Sequence, residues 1–266
     1  MKQFILNAPP NSDGMVHLYG DDYHYLVRVR RLKAGSVFTA LLPGGGETRV
    51  KILSTVDNIL IGECQGEIPQ DLSPLPPIIL FQGLPKGTKM DLIVRQAAEG
   101  GISEVVPFES DYSAVKVTSG MEAKLRRWER IIREARQQSG SAIATAVRLP
   151  CTVKGLLEYW ESLKQEHPGG AGILLHQDPL EQGSFHGYLY KKPSIVVLAV
   201  GPEGGFSPAE AGRFAASGFK PLTMGNTILR TETAALYGAA AIRIILLESA
   251  SWAPLTPKPI SQPVNG

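Results

Sequence analysis

Gly201, Gly204 and Gly205 surround Pro202 and Glu203 in VGPEGGFSPAE, residues 200–210, and the apolar run SIVVLAV leads straight into them. A strand that enters a glycine turn and leaves as a helix brings backbone N–H groups and a helix N-terminus onto one spot, an arrangement suited to holding a ligand. The helix start is written in the turn itself. Ser207, Pro208 and Glu210 fall at the N-cap, first and third positions of a capping box, so the spacing predicts a helix from Pro208. This reading makes Ser207 a cap rather than a nucleophile. The glycines permit positive φ and close backbone approach, and a plain tight connection with no ligand fits the same pattern.

Two phosphate-binding readings fail at this turn. The dinucleotide fingerprint G-x-G-x-x-G is interrupted by Pro202 and Glu203, and the G-K-[ST] of a P-loop is absent. A carboxylate among ligand-facing amides repels polyphosphate and suits a neutral or cationic ligand. S-adenosylmethionine is one such ligand: adenosine, an amino acid and a sulfonium, with no phosphate.

A second chemistry-bearing stretch is MGNTILRTETAALYGAAAIRIILLE, residues 224–248. A strand ends at Gly225, a loop carries Arg230, and a helix begins near Thr231 or Glu232, where carboxylate favours the dipole. A guanidinium beside a glycine-ended strand can hold an anion; a surface salt bridge to Glu232 fits the spacing equally well. The Ala and Gly stripe that follows reads as close core packing. His176 ends the run GILLH at the carboxyl end of a predicted parallel strand, where α/β proteins bind ligands, although a structural contact is the plainer role. No Ser–His–acid set is in evidence.

Basic residues form two clusters. Between Lys116 and Arg136 seven Lys or Arg outnumber three Glu, and Leu125, Trp128, Ile131, Ile132 and Ala135 form an apolar helical face that leaves the basic groups on the solvated side. HYLVRVRRLKAG supplies His24, Arg28, Arg30, Arg31 and Lys33 near the N-terminus. Either cluster alone reads as solvated surface; two together make RNA a more plausible partner.

These groups need elements to position them. Residues 1–70 carry short β-type runs with PGGGE as a hairpin loop, which predicts a small β-rich domain. QDLSPLPP suits a linker. From residue 78, apolar runs without alternation are separated by helical segments, the pattern of a parallel sheet covered on both faces. The last stretch, with four prolines and no periodicity, reads as a mobile tail. With 43% hydrophobic and 20% charged residues the chain can build a core, and a net charge of +2 does not by itself call for a polyanion. Cys64 and Cys151 are far apart and without ligand-spaced partners, so neither a disulfide framework nor a metal site is expected. No run is apolar enough for a signal peptide or a membrane span, and the expectation is a soluble cytoplasmic protein.

GPEGGFSPAE and MGNTILRTETAAL, at their mutual spacing, resemble the RsmE-type 16S rRNA uridine-N3 methyltransferases of the SPOUT class. LPKGTKMDLIVRQAAEGGI, RWERIIREARQQSG and HYLVRVRRLKAG are similar to three further segments of that family, so the resemblance covers nearly everything but the tail. It implies a PUA-like RNA-binding β-barrel over residues 1–70, a linker at 71–77, an α/β methyltransferase domain at 78–248 with a deep trefoil knot, and a tail at 249–266. It implies a homodimer using S-adenosylmethionine, no metal, and a target at uridine 1498 of 16S rRNA in the decoding region. Carried onto this sequence, the cofactor residues are Leu175, His176, Val200, Gly201, Glu203, Gly204, Gly205, Met224, Gly225, Ile228, Leu229 and Thr233. RNA contacts fall to His24, Arg28, Arg30, Arg31, Lys33, Lys86, Arg126, Arg127 and Arg133. Arg230 is the candidate to stabilise charge on uracil as N3 loses its proton. Glu203 is either a catalytic participant or an anchor for its loop, with the anchor favoured.

The chain departs from the family where basic residues are usual: Gln96 replaces a lysine, and Ser141 and Thr227 replace arginines. Gly100 and Thr145 are further departures. They bear on RNA target choice more than on cofactor binding, whose glycines and ILRTETA are intact. Two other classes stay open: a nucleotide-cofactor oxidoreductase, disfavoured by the missing fingerprint, and an RNA-binding protein with lost or altered methyltransferase specificity.

Overall fold

The computed structural model describes residues 3–68, 75–117, 120–176, 184–189 and 191–251. Residues 71–74 of the expected linker and 252–266 of the expected tail lie outside them.

The N-terminal strands β1 (Phe4–Ile5), β2 (Met15–Leu18), β3 (Val37–Leu41), β4 (Glu47–Val56) and β5 (Ile59–Glu67) form a sheet in the order β1-β3-β4-β5-β2. Alternation drives it. Along β4, Thr48, Val50 and Ile52 point inward while Arg49, Lys51 and Leu53 face out, the period of a half-buried strand. Phe4, Leu26, Phe38, Val50, Ile52 and Leu60 fill its core. The basic segment between β2 and β3 is helical: α1 (Asp21–Tyr23) continues as a π-helical stretch, His24–Val29. Only Leu26 is buried there, which turns His24 and Arg28 outward.

The second sheet is wholly parallel and holds β6 (Ile78–Gly83), β7 (Glu104–Glu109), β8 (Ala146–Val147), β9 (Cys151–Thr152), β10 (Ala171–Leu175), β11 (Val196–Val200) and β12 (Lys220–Leu222). Its order is β12-β10-β11-β6-β7-β8, with β9 also paired to β7. The central strands are buried along their whole length because both faces are covered. Ile78, Leu80, Val196 and Leu198 point to one side, under α2 (Lys89–Glu99), α3 (Met121–Ser139), α5 (Phe185–Leu189) and α7 (Thr231–Ser251). Ile79, Phe81, Val197 and Ala199 point to the other, under α4 (Val153–Glu166) and α6 (Pro208–Ala216). The small stripe of α7 is core packing, as expected: a Cβ on Gly238 would lie 2.8 Å from Leu198 Cδ2.

One expectation about α3 is corrected. Arg136 is not on the solvated side; it is 5% exposed and donates to Leu42 O at 3.2 Å and to Pro43 O and Ser141 O at 3.4 Å. The last turn of α3 abuts the N-terminal sheet, where Gln3 N–H donates to Gln137 O and Gly46 N–H to Ala142 O, both at 2.8 Å. Arg133 joins the same contact by donating to Asn7 Oδ1. Carbonyls at a helix C-terminus attract a guanidinium, and helical spacing alone does not reveal a second sheet at that end.

Candidate active site

Register fixes where the loops meet. Leu175 pairs with Val200 on β11 and Leu222 on β12, and Val200 pairs with Gln82 on β6. One row across the sheet thus ends β10, β11 and β12 together, one residue short of the end of β6, and the loops after those three strands, with Lys89 at the start of α2, enclose a cavity of about 630 Å³, within the usual range for small-molecule sites. Every expected cofactor residue except Gly204 and Thr233 lines it, and so does Arg230. Lys89, Phe206, Asn226, Thr227, Thr231 and Ala234 also line it and were not among the cofactor residues expected from sequence.

The wall at residues 200–207 is held by hydrogen bonds. The capping box is complete: Ser207 Oγ accepts from Glu210 N–H at 3.2 Å, and Glu210 Oε2 accepts from Ser207 N–H at 2.9 Å. Glu210 is fully buried and also accepts from Ser110 Oγ at 2.9 Å and Asp111 N–H at 2.8 Å, tying α6 to the turn after β7. Across the sheet, Gln82 Nε2, which can only donate, reaches Thr231 Oγ1 at 2.8 Å; the Thr231 hydroxyl therefore spends its proton on Gly201 O at 2.6 Å. This chain joins β6, the glycine turn and the start of α7. Gly83 permits it, since a Cβ there would lie 2.5 Å from Pro202.

Glu203 accepts from Lys86 N–H at 3.1 Å and Lys89 Nζ at 2.6 Å. Burial pushes its carboxyl up, but Lys89 and backbone donors outweigh that and hold it below the ordinary carboxylate value. The Lys89 ammonium is raised, first by the hydrogen bond to Glu203, and it lies 3.8 Å from Glu232. The salt bridge that spacing allowed between Arg230 and Glu232 is not made; Glu232 faces Lys89, and Arg230 has no ion pair among the described residues. A lysine at the start of α2 had no sequence signal linking it to a glutamate more than a hundred residues away.

Lys86 is exposed on the loop after β6. The other expected RNA residues lie elsewhere. His24, Arg28, Arg31 and Lys33 are exposed and Arg30 half-buried on the N-terminal domain; Arg126 is exposed on α3, and Arg127 is paired with Asp91 at 2.6 Å. Among the described residues no cluster of three or more His, Cys, Asp or Glu could hold a metal ion, and no helix is long and apolar enough to cross a membrane.

The cavity combines apolar surface with a few polar groups, as small-molecule sites do. Leu175, Val200, Leu222 and Ile228 give it apolar surface, the glycine loops give backbone groups, and the Glu203 carboxylate sits in its lining. The sequence models of an RNA methyltransferase domain and of an RNA methyltransferase PUA domain match residues 72–243 and 18–60. The ribosomal RNA small subunit methyltransferase E of Synechocystis is 33% identical over 227 residues, covering 84% of this chain and 71% of its own. That of Bacillus subtilis is 28% identical, covering 91% and 92%. The crystal structure of ribosomal RNA small subunit methyltransferase E from Neisseria gonorrhoeae, bound to S-adenosyl methionine, superposes with a TM-score of 0.73 at 24% identity over 92% of this chain and 98% of that one. The glycine turn, the ILRTETA loop and the parallel sheet that joins them therefore have one source: this chain belongs to the RsmE-type RNA methyltransferase family and has its SPOUT-type fold with an N-terminal PUA domain.

Proposed function

We propose that the chain is an S-adenosylmethionine-dependent enzyme that methylates N3 of a uridine in 16S rRNA, the equivalent of position 1498 in the decoding region. The observation that carries this reading is the cavity at the carboxyl ends of β10, β11 and β12, lined by the residues the family motifs specify. When bound there, S-adenosylmethionine supplies a methyl group on a sulfonium. The chain would hold it with the backbone of residues 200–203, 205 and 223–229, the apolar Leu175, Val200 and Ile228, and the Met224–Gly225 turn. Much of the acceleration in such an in-line transfer comes from alignment and exclusion of water. Uracil N3 must lose its proton before or during attack, which spreads negative charge over the flanking carbonyl oxygens. Arg230, exposed at the cavity and without an ion pair among the described residues, stabilises that charge. Glu203 serves as an anchor: with Lys86 N–H and Lys89 on its oxygens and a depressed pKa, it is a poor proton acceptor.

The trefoil knot of this reading is supported by the path of the chain after β12. Residues 223–230 wrap the cavity, and Thr231 then begins α7 bonded to Gly201 and Gln82. A homodimer is supported by Leu92, Leu236, Tyr237 and Ile244, large apolar residues exposed on α2 and α7, which pack together. RNA is met by the exposed basic residues of the N-terminal domain, by Lys86 and by Arg126. The units are a PUA-like domain over 1–70 and a methyltransferase domain over 78–248, and the enzyme works in the cytoplasm. The test is calorimetry with S-adenosylmethionine, followed by incubation with small ribosomal subunits from a methyltransferase-deficient strain and mass spectrometry of the nucleosides. 3-Methyluridine at the single expected site is the result the reading requires. Binding of S-adenosylmethionine with no methyl transferred to rRNA would leave an RNA-binding protein, and preferential NAD(P) binding an oxidoreductase.

A further inference from the structure

Gly204 is outside the cavity lining, and the side chain it lacks would point at Tyr112. A Cβ at position 204 would lie 2.8 Å from Tyr112 Cβ, so this glycine serves the turn after β7. That turn is unusually well held for a surface segment. Ser110 N–H donates to Ser113 Oγ at 3.0 Å, Ser113 N–H returns to Ser110 O at 2.9 Å, and both serines are buried. Ser207 Oγ donates to Asp111 Oδ2 at 2.5 Å, and Glu210 takes Asp111 N–H and Ser110 Oγ. Beyond the turn, Glu109 accepts from Val117 N–H at 2.7 Å and pairs with Lys116 at 3.0 Å. On this fixed base the Tyr112 side chain is 53% exposed, and its hydroxyl makes no hydrogen bond among the described residues.

An exposed tyrosine is ordinary by itself. This one is carried by a turn hydrogen-bonded into the cavity wall, on the far side of Gly204 from the cofactor site. Lys86, whose backbone N–H bonds Glu203 next to Gly204, adds an exposed ammonium with no ion pair among the described residues. A preordered aromatic face, with an exposed cation on the neighbouring loop that bonds Glu203, is what proteins use to seat an unstacked base and its phosphate. Resting on the RNA methyltransferase reading above, we infer that Tyr112 stacks on a nucleobase adjoining the methyl-accepting uridine and so positions that strand at the cavity mouth. The ring touches substrate but not the transferring methyl, so it acts on RNA engagement and not on cofactor binding.

The test compares the full chain with Tyr112→Phe, Tyr112→Leu and Tyr112→Ala, measuring KM for unmodified small subunits, kcat, and the Kd of S-adenosylmethionine. Stacking predicts that Leu and Ala raise the RNA KM roughly tenfold, within a range of about 5- to 100-fold, while Phe stays within about twofold. The cofactor Kd is expected to be unchanged in all three. A Leu variant as good as Phe would mean that filling space beside Gly204 is sufficient, and would overturn the proposal. So would an Ala variant with unchanged RNA KM, or a loss seen only in cofactor affinity. If the Ala protein does not fold, Tyr112→Trp carries the test: stacking requires its added fluorescence to be quenched by a single-stranded RNA spanning the target, and an unquenched signal overturns stacking. Failure of the wild-type chain to methylate rRNA would instead defeat the underlying reading, and the proposal with it.

Discussion

The two walls of the cavity are built on opposite terms. Residues 200–207 are tied down from every side: Gly201 through Thr231, Glu203 through Lys86 and Lys89, Ser207 through Glu210 and Asp111. Residues 225–228 and Arg230 stand exposed, Ile228 at 80%. The side chains of Asn226, Thr227 and Arg230 make no hydrogen bond or ion pair among the described residues. One wall is preorganised before any ligand arrives, so contacts with it cost little ordering entropy. The other holds apolar surface and a cation ready for ligands to cover. Damage to the first wall should register in folding, and damage to the second in binding or turnover.

The sharpest break is expected at Arg230 in the open wall. Arg230→Ala removes the cation from the developing uracil charge and leaves folding contacts untouched. Loss of one such donor typically lowers kcat by about 100- to 1,000-fold. Thermal stability and cofactor Kd are expected to match the parent. Equal turnover on ribosomal substrate would remove Arg230 from the chemistry.

Glu210 in the tied wall should show the reverse pattern. Glu210→Ala leaves the buried Ser207 N–H and the part-buried Asp111 N–H without their acceptor, and leaves Ser110 Oγ only the longer bond to Gly205 O at 3.4 Å. Unsatisfied buried donors cost about 1–3 kcal/mol each before relaxation, so a loss near 3 kcal/mol, or roughly 5–10 °C in Tm, is expected. Differential scanning calorimetry reads it directly. A melt within a degree or two of the parent would mean that the turn does not depend on this carboxylate.

Sequence revealed these walls unequally, for a physical reason. The capping box at Ser207–Glu210 is local, so spacing exposed it, along with the helix starts at Pro208 and Thr231. The apolar runs Ile78–Phe81 of β6 and Val196–Val200 of β11 announced a doubly covered parallel sheet for the same reason. What spacing could not carry is the long-range chemistry. Gln82 is a polar residue in an apolar strand, yet nothing local says that it reaches Thr231. Glycines in a ligand loop look alike in sequence, and no local spacing shows that the side chain Gly204 lacks would point at Tyr112. The end of α3 that faces the N-terminal sheet escaped for the same reason: Arg136 sits in a basic run, and its carbonyl partners at Leu42 and Pro43 are more than ninety residues away.

Ile228 offers a finer test of the open wall. Its side chain is nearly bare in the free protein, so Ile228→Ala deletes no folding contact. Burying an aliphatic side chain of that size against a ligand is worth about 1.5–3 kcal/mol, part of which Ala keeps. Cofactor affinity should therefore weaken roughly 5- to 20-fold by calorimetry, with Tm of the free protein unchanged. A fall in Tm would place Ile228 in the fold and erase the contrast between the walls.

The smallest effect is expected where the tied wall meets solvent, at Lys89 and Glu203. Their contact is short, 2.6 Å, but the side chains are 33% and 28% exposed, so water screens much of the attraction and such pairs contribute well under about 1 kcal/mol. The signs of the two shifts define the pH window. Glu203 is depressed by Lys89 and backbone donors against the opposing effect of burial, so its contribution is present above the ordinary carboxylate pKa and fades as pH falls through the lower folded value. Lys89 is raised, so its contribution is full below the ordinary lysine pKa and fades as pH rises through the higher folded value. Between those limits the difference in Tm between parent and Glu203→Gln should be small and flat with pH, and it should shrink in strong acid. Raising salt at neutral pH should shrink it as well. A difference that instead grew toward acid would mean that Glu203 is protonated more readily when folded, and an anchor held by Lys89 cannot behave in that way.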